Sequence, residues 1–248
     1  MNEIDLIYIV LPLLIIIQSI IGAGILIIGT PVMLLLNYNI ISILSLLLPI
    51  SLITSLINMV LIKNNKKYKN IKIDDLILKN FFTICLPSIF IGLVILYFFS
   101  IYINIKLTIA VVILLSLFFK ITYEKTFLSA NYFFIRFFMF VVGIVHGLTN
   151  SGGALLMLFL NYINKKKNKN SRQNMTFFYF YLVFFQYLIF LFLFNEVYEF
   201  KLNYIIILLI FFGTVIGFLI EEIVNKKIFQ LIVNFTAFIA AISLIIFS

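Results

Sequence analysis

From Asp5 to Leu36 the chain runs for 32 residues with no charge after the first, and Gly22 and Gly24 break the run near its middle. A continuous helix of that length would measure about 48 Å, well beyond the ~30 Å of hydrocarbon in a bilayer. Two short helices meeting at a bend, with Pro31 further on, fit better. A second run of the same character extends from about Tyr132 to Tyr162 and is broken centrally by HGLTNSGGALL. Lipid cannot satisfy a free backbone amide, so a break at membrane depth must line a space enclosed by protein. These two runs call for helices packed around two buried breaks.

Composition carries that demand to the whole chain. Hydrophobic residues make up 64% of the sequence and charged residues 11%, against about 25% charged in soluble domains. No polar stretch is long enough to bury a core of its own, which predicts one integral membrane domain over residues 1–248. Cys85 stands alone in an apolar segment, so no disulfide framework or cysteine-based metal site is available. The opening MNEID places acids where a secretory signal carries basic residues, so the first apolar segment is expected to remain in the mature protein. The formal charge of +9 comes from lysines in short loops between spans, where membrane topology explains them without a nucleic-acid partner.

Taken in order, the first broken run is followed by spans over about 40–62, 77–99 and 105–119. The second is followed by spans over about 177–194, 203–220 and 228–247. The pattern of broken hairpin and three spans restarts near residue 123. We therefore expect an all-α, polytopic integral membrane protein of about 8–10 membrane segments in two repeats, about 1–122 and 123–248. A shift of 128, the difference between Gly152 and Gly24, also places Ser19 on Gly147, Gln18 on His146 and Asn58 on Gln186.

Loop charge decides the topology. If each broken run returns to its starting side, all basic residues except Lys106 and Lys201 share one face, which is 18 less 2, or 16. A single crossing would instead place the lysine-rich loops after Ile62 and Tyr162 on opposite faces. The hairpin reading makes the repeats inverted, with both termini outside and the basic loops cytoplasmic in a cell-membrane protein. Re-entrant hairpins and pairs of full spans give the same parity.

The breaks carry the candidate chemistry. Helices beginning just after Gly24 and Gly153 would aim free N–H groups and positive dipole ends at the bilayer midplane, which suits a small anion. Gly22, Gly24, Gly152 and Gly153 let the backbone approach a ligand, and Thr149, Asn150 and Ser151 add polar groups. His146, the only histidine, lies one residue before Gly147; it either bonds a neighbouring carbonyl or contributes to the site, as does Gln18 with Ser19 in the first break. Ser51, Thr54, Ser55 and Asn58 share one face of the second span. They either glue helices together or line the cavity, and Ser55 and Asn58 join the candidate binding set. Gly213 and Gly217 read as helix packing.

The first break, GAGILIIGTP, and the second, HGLTNSGGALL, resemble the two glycine-rich repeats of the TauE/SafE sulfite exporter family of membrane permeases. Gly22, Gly24 and Pro31 stand at the first, third and last positions of its motif, G-x-G-G-G followed by an aliphatic run and a proline; Ile25 and Leu26 replace two glycines. In the second copy Gly152 and Gly153 match, Asn150 and Ala154 replace glycines, and Phe159 stands in place of the proline. The stretch GTVIGFLIEEIVNKKIFQLIV is similar to the family's last two helices. The resemblance spans nearly the whole chain and implies transport of small sulfur-containing anions such as sulfite or sulfonates.

The expected function is thus an anion permease working by alternating access at a midplane site, in contact with the lipid bilayer. The alternatives are an anion channel or a non-transporting assembly component. Homo-oligomer formation stays open. One His and one Cys some sixty positions apart offer no cluster for a hydrolase or metalloenzyme, and the sequence calls for no cofactor or metal.

Overall fold

The computed structural model describes residues 3–65, 74–123, 132–167, 171–194 and 203–248. The linker between the halves and most of the first basic loop lie outside this set. Among the described residues every regular element is helical. The first half holds α1 (Glu3–Ile21), α2 (Ile25–Leu35), α3 (Ile40–Asn64), α4 (Asp75–Asn80), α5 (Leu86–Phe99) and α6 (Ile105–Tyr123). The second holds α7 (Tyr132–Thr149), α8 (Gly152–Lys167), α9 (Ser171–Leu193), α10 (Tyr204–Ile223) and α11 (Lys226–Ile246).

Helix starts follow local chemistry. Asn39, Asp74 and Asn203 accept hydrogen bonds from the backbone N–H of Ser42, Leu76 and Ile206, satisfying donors that α3, α4 and α10 would otherwise leave free. α4 and α5 form one continuous span through a π turn over Phe81–Cys85. Pro87 has no N–H to offer the Thr83 carbonyl and its ring crowds that oxygen, so the wider turn relieves both.

The burial pattern is that of a protein in lipid. Gln18, Ser51, Asn58, His146, Asn150 and Gln186 are inside, while Leu13, Phe98, Phe192, Phe212, Leu231 and Phe235 face outward. The described helices include five that are long and apolar enough to cross a membrane, with shorter apolar helices beside them. A soluble fold would reverse this arrangement.

Contacts at the helix ends fix the parity. Lys106 Nζ donates to Asn37 Oδ1 at 3.4 Å and to the Phe247 carbonyl at 3.2 Å, so the turn after α2, the start of α6 and the end of α11 meet. About 37 Å away, at the far end of α3, Asn65 meets Glu222 and Arg172 meets Glu221. Tyr8, near the start of α1, accepts a bond from Asn203 at the start of α10, opposite Glu221. The chain thus enters α1 and leaves α2 at the same end, which makes the first broken run a hairpin. We call the end carrying Glu221 and Lys63 the basic end.

Three details differ from the sequence reading. α1 is a 19-residue helix rather than a short one, because its apolar run continues unbroken up to Gly22. α8 begins at Gly152 rather than after Gly153. Its lysine-rich end stays helical to Lys167 and α9 begins at Ser171, so most of the expected second loop is helix. Lysine is a good helix former and is favoured at a helix C-terminus.

Two tight crossings hold the halves together, α1 along α10 and α7 along α5. Gly213 and Gly217 of α10 leave no room for a side chain: an added Cβ would stand 2.9 Å from Ile15 Cγ2 and 2.7 Å from the Ile16 carbonyl oxygen, respectively. In the other crossing both helices contribute glycine: a Cβ on Gly143 or Gly147 of α7 would meet the Cys85 or Ile89 carbonyl, and one on Gly92 of α5 would meet the Ile144 carbonyl. A shift of 128 carries Ile15 and Ser19 onto Gly143 and Gly147. Each crossing therefore has a glycine pair four residues apart, on opposite members of the matched helices, and the second crossing adds Gly92 on the facing helix.

Candidate functional site

The two breaks are closed in the same way. Gly22 N–H donates to the Gln18 carbonyl at 2.7 Å and Asn150 N–H to the His146 carbonyl at 2.9 Å, ending α1 and α7. Gly22 and Asn150 both have left-handed backbone, with φ of +90° and +62°. Glycine adopts that region freely and asparagine is the residue type that best tolerates it, so Asn150 fills a glycine position without breaking the geometry.

All twelve residues singled out from the sequence are buried: Gln18, Ser19, Gly22, Gly24, Ser55, Asn58, His146, Thr149, Asn150, Ser151, Gly152 and Gly153. The two breaks touch, because Asn150 Nδ2 donates to Thr30 Oγ1 in α2 at 3.0 Å. They differ in how their polar groups are used. Gln18 is saturated: Nε2 donates to the Ser51 carbonyl and Ser55 Oγ, both at 2.9 Å, while Oε1 accepts from Ser51 Oγ at 3.0 Å and from Ile25 N–H at 3.4 Å. The first helix terminus thus already holds an amide oxygen of the protein. Asn58 Nδ2 donates to Ser19 Oγ at 3.2 Å. The Asn58 Oδ1 and Thr54 Oγ1 atoms have no partner.

His146 occupies the matching place in the second break, and neither ring nitrogen has a partner. Asn150 Oδ1 and Gln186 Oε1 are likewise unpartnered, although Gln186 Nε2 donates to the His146 carbonyl at 3.1 Å. Thr149 and Ser151 bond locally: Thr149 Oγ1 donates to Val145 O and accepts from Ser151 N–H, and Ser151 Oγ donates to Thr149 O. Buried polar atoms are usually paired, which sets this cluster apart as the candidate site.

Tyr179 is one of 13 tyrosines, and no motif in the sequence separates it from the others. The structure packs its ring against His146, with centroids 6.4 Å apart, and against Gly153, where an added Cβ would lie 2.8 Å from Cε2. Its hydroxyl lies close to the Ser51 side chain and the backbone of Gly24 and Leu26, without a partner in hydrogen-bonding geometry. Tyr179 therefore spans from the second break to the start of α2. The shift of 128 would have found it, since 51 plus 128 is 179 and Ser51 lies on the polar face of α3.

The glycines serve the chain's own packing. A Cβ on Gly152 would meet the Val142 carbonyl at 2.5 Å and His146 N at 2.7 Å, and one on Gly22 would meet Thr176 Oγ1 at 2.7 Å. Beyond the short helices lies an apolar cleft bordered by Gly24, Ile27, Ala154, Ile113 and Val233, with Ser116 and Asn234 its only polar side chains. It adjoins the breaks without including His146 or Tyr179. Among the described residues, no three His, Cys, Asp or Glu side chains are grouped to hold a metal.

Buried polar groups, apolar outer faces and hairpins with breaks at membrane depth define a polytopic helical membrane permease. The family model described as sulfite exporter TauE/SafE matches residues 7–244, and the chain belongs to that family. No curated protein and no solved structure matches it significantly.

Proposed function

We propose that the chain is a permease for small sulfur oxyanions such as sulfite or a sulfonate, working by alternating access between two inverted repeats. The observation that carries the reading is the buried imidazole of His146, neither nitrogen of which has a partner, packed against the Tyr179 ring at the second break. The imidazole and the phenol each offer an N–H or O–H, and the start of α8 at Gly152 and Gly153 adds backbone donors and a positive dipole end. Gln18, Ser19, Ser55 and Asn58, with Gly22 and Gly24, form the opposing wall, in which Gln18 is fully bonded to the protein. Family membership supports the sulfur oxyanion. The matched breaks, the matched crossings and the shared ends of the hairpin support the inverted repeat. With the basic end in the cytoplasm, both termini lie outside.

Purified protein in proteoliposomes, assayed for exchange of sulfite, thiosulfate, sulfonates, sulfate and chloride, tests this. Saturable counterflow of a sulfur oxyanion is the expected result. Unsaturated current would indicate a channel, and no flux of any anion would leave the assembly role.

A further inference from the structure

Arg172 is one of the basic residues that share a face, and the structure buries it at that end of the bundle. Arg172, near the start of α9, and Glu221, near the end of α10, form a buried ion pair, Nη1 to Oε2 at 3.0 Å, with side-chain exposures of 5% and 1%. The guanidinium lies over the Phe218 ring, 4.8 Å from its centroid. Its Nη2 donates to the Ser19 carbonyl at 2.6 Å, one residue from Gln18. A cation at this C-terminal carbonyl of α1 also complements the helix dipole. The pair thus ties three helices together on the basic side of the first break.

A buried ion pair is weak support for stability, since desolvating two charges costs about as much as their attraction returns. The other half of the molecule makes the same point. Less 128, positions 172 and 221 become Leu44 and Leu93, both fully buried in the apolar core. The corresponding places in the first half are thus filled by leucines, so helix packing alone does not call for charge.

We propose that Arg172 is a second anion contact, at the basic mouth of the path: Glu221 neutralises it while the mouth is shut, and a small oxyanion replaces Glu221 when the mouth opens. The ligand class is a mono- or divalent oxyanion able to take two N–H donors of a guanidinium fork. At the matching places of the first half stand Leu44 and Leu93, which offer no such contact. This inference rests on the permease reading and assigns it an electrostatic asymmetry between the two faces.

The test replaces both residues together, Arg172→Leu with Glu221→Leu, copying the other half and removing both members of the pair. Sulfite exchange is measured from each face of oriented vesicles. The apparent KM at the basic face should rise about tenfold or more, with the opposite face unchanged within about twofold. Equal change at both faces, or none at either, would overturn the proposal, because a structural role has no preferred side. A second measurement does not depend on sulfite being the substrate. In a Cys85→Ser background, Ser19→Cys is labelled from the basic end with anionic and cationic methanethiosulfonates. The anionic-to-cationic rate ratio should fall about tenfold when the pair becomes leucine; an unchanged ratio would overturn the contact even if no sulfite flux is found.

Discussion

Gln18 and His146 hold the same place in two breaks that share their backbone geometry and differ in how they are finished. In the first break four hydrogen bonds surround one amide, and a side-chain oxygen sits on the start of α2. In the second the matching side chain, the His146 imidazole, lies buried with neither nitrogen bonded; unpartnered amide oxygens occur beside both, Asn58 at the first and Asn150 and Gln186 at the second. Satisfied buried networks rigidify a site, whereas unsatisfied ones are costly unless something binds. On the proposed function, two breaks of like backbone geometry are divided between two roles, the first as fixed wall and the second as ligand contact.

The largest expected effect separates close packing from substrate space. Gly152→Ala places a Cβ against backbone of α7 that cannot give way, so a loss of about 1–3 kcal/mol or more in unfolding free energy is expected. Gly24→Ala meets Ile17 Cγ2 at 3.1 Å and Gln18 N at 3.3 Å, with backbone near extended, and should cost less. Thermal unfolding in detergent measures both, and equal losses would remove the distinction. Next comes the left-handed position of the second break. Asn150→Gly should be tolerated, while Asn150→Ala should lose about 1–2 kcal/mol through backbone strain. Retention of full stability by the alanine variant would show that the break does not need that conformation.

A smaller effect, confined to function, is expected from Tyr179→Phe. The substitution removes a hydroxyl that has no partner and keeps the ring on Gly153 and His146. Stability should stay within about 0.5 kcal/mol, while the KM for sulfite rises by about five- to tenfold. Lost stability with unchanged KM would move Tyr179 from the site to the core.

Much of this was legible in the sequence because spans, breaks and repeat spacing are properties of apolar periodicity. Gly22, Gly24 and the HGLTNSGGALL stretch marked both breaks, and the lysine distribution selected the hairpin. What was not legible depends on which side chains meet. Arg172 reads as one more loop cation until α9 is seen to start at Ser171, which carries it into the bundle beside Glu221. Tyr179 is lost among aromatic residues because no local pattern separates it from Phe178 or Tyr181. Asn150 looks like a decayed glycine motif until its φ shows that the conformation was kept. The π turn before Leu86 follows from Pro87, yet proline alone does not reveal whether a helix will kink, end or widen.

The division of labour is tested most directly by pairing Gln18→Leu with His146→Leu and measuring unfolding and sulfite affinity on the same preparations. Gln18→Leu strands the Ser51 and Ser55 partners and should lose about 1–3 kcal/mol of stability while changing affinity by no more than about twofold. His146→Leu breaks no hydrogen bond of its side chain and should stay within about 1.5 kcal/mol of the original stability. Its apparent sulfite affinity should fall about five- to 150-fold, the equivalent of about 1–3 kcal/mol. The opposite result, in which Gln18→Leu abolishes sulfite affinity without loss of stability and His146→Leu binds normally, would contradict the account and place the ligand at the first break.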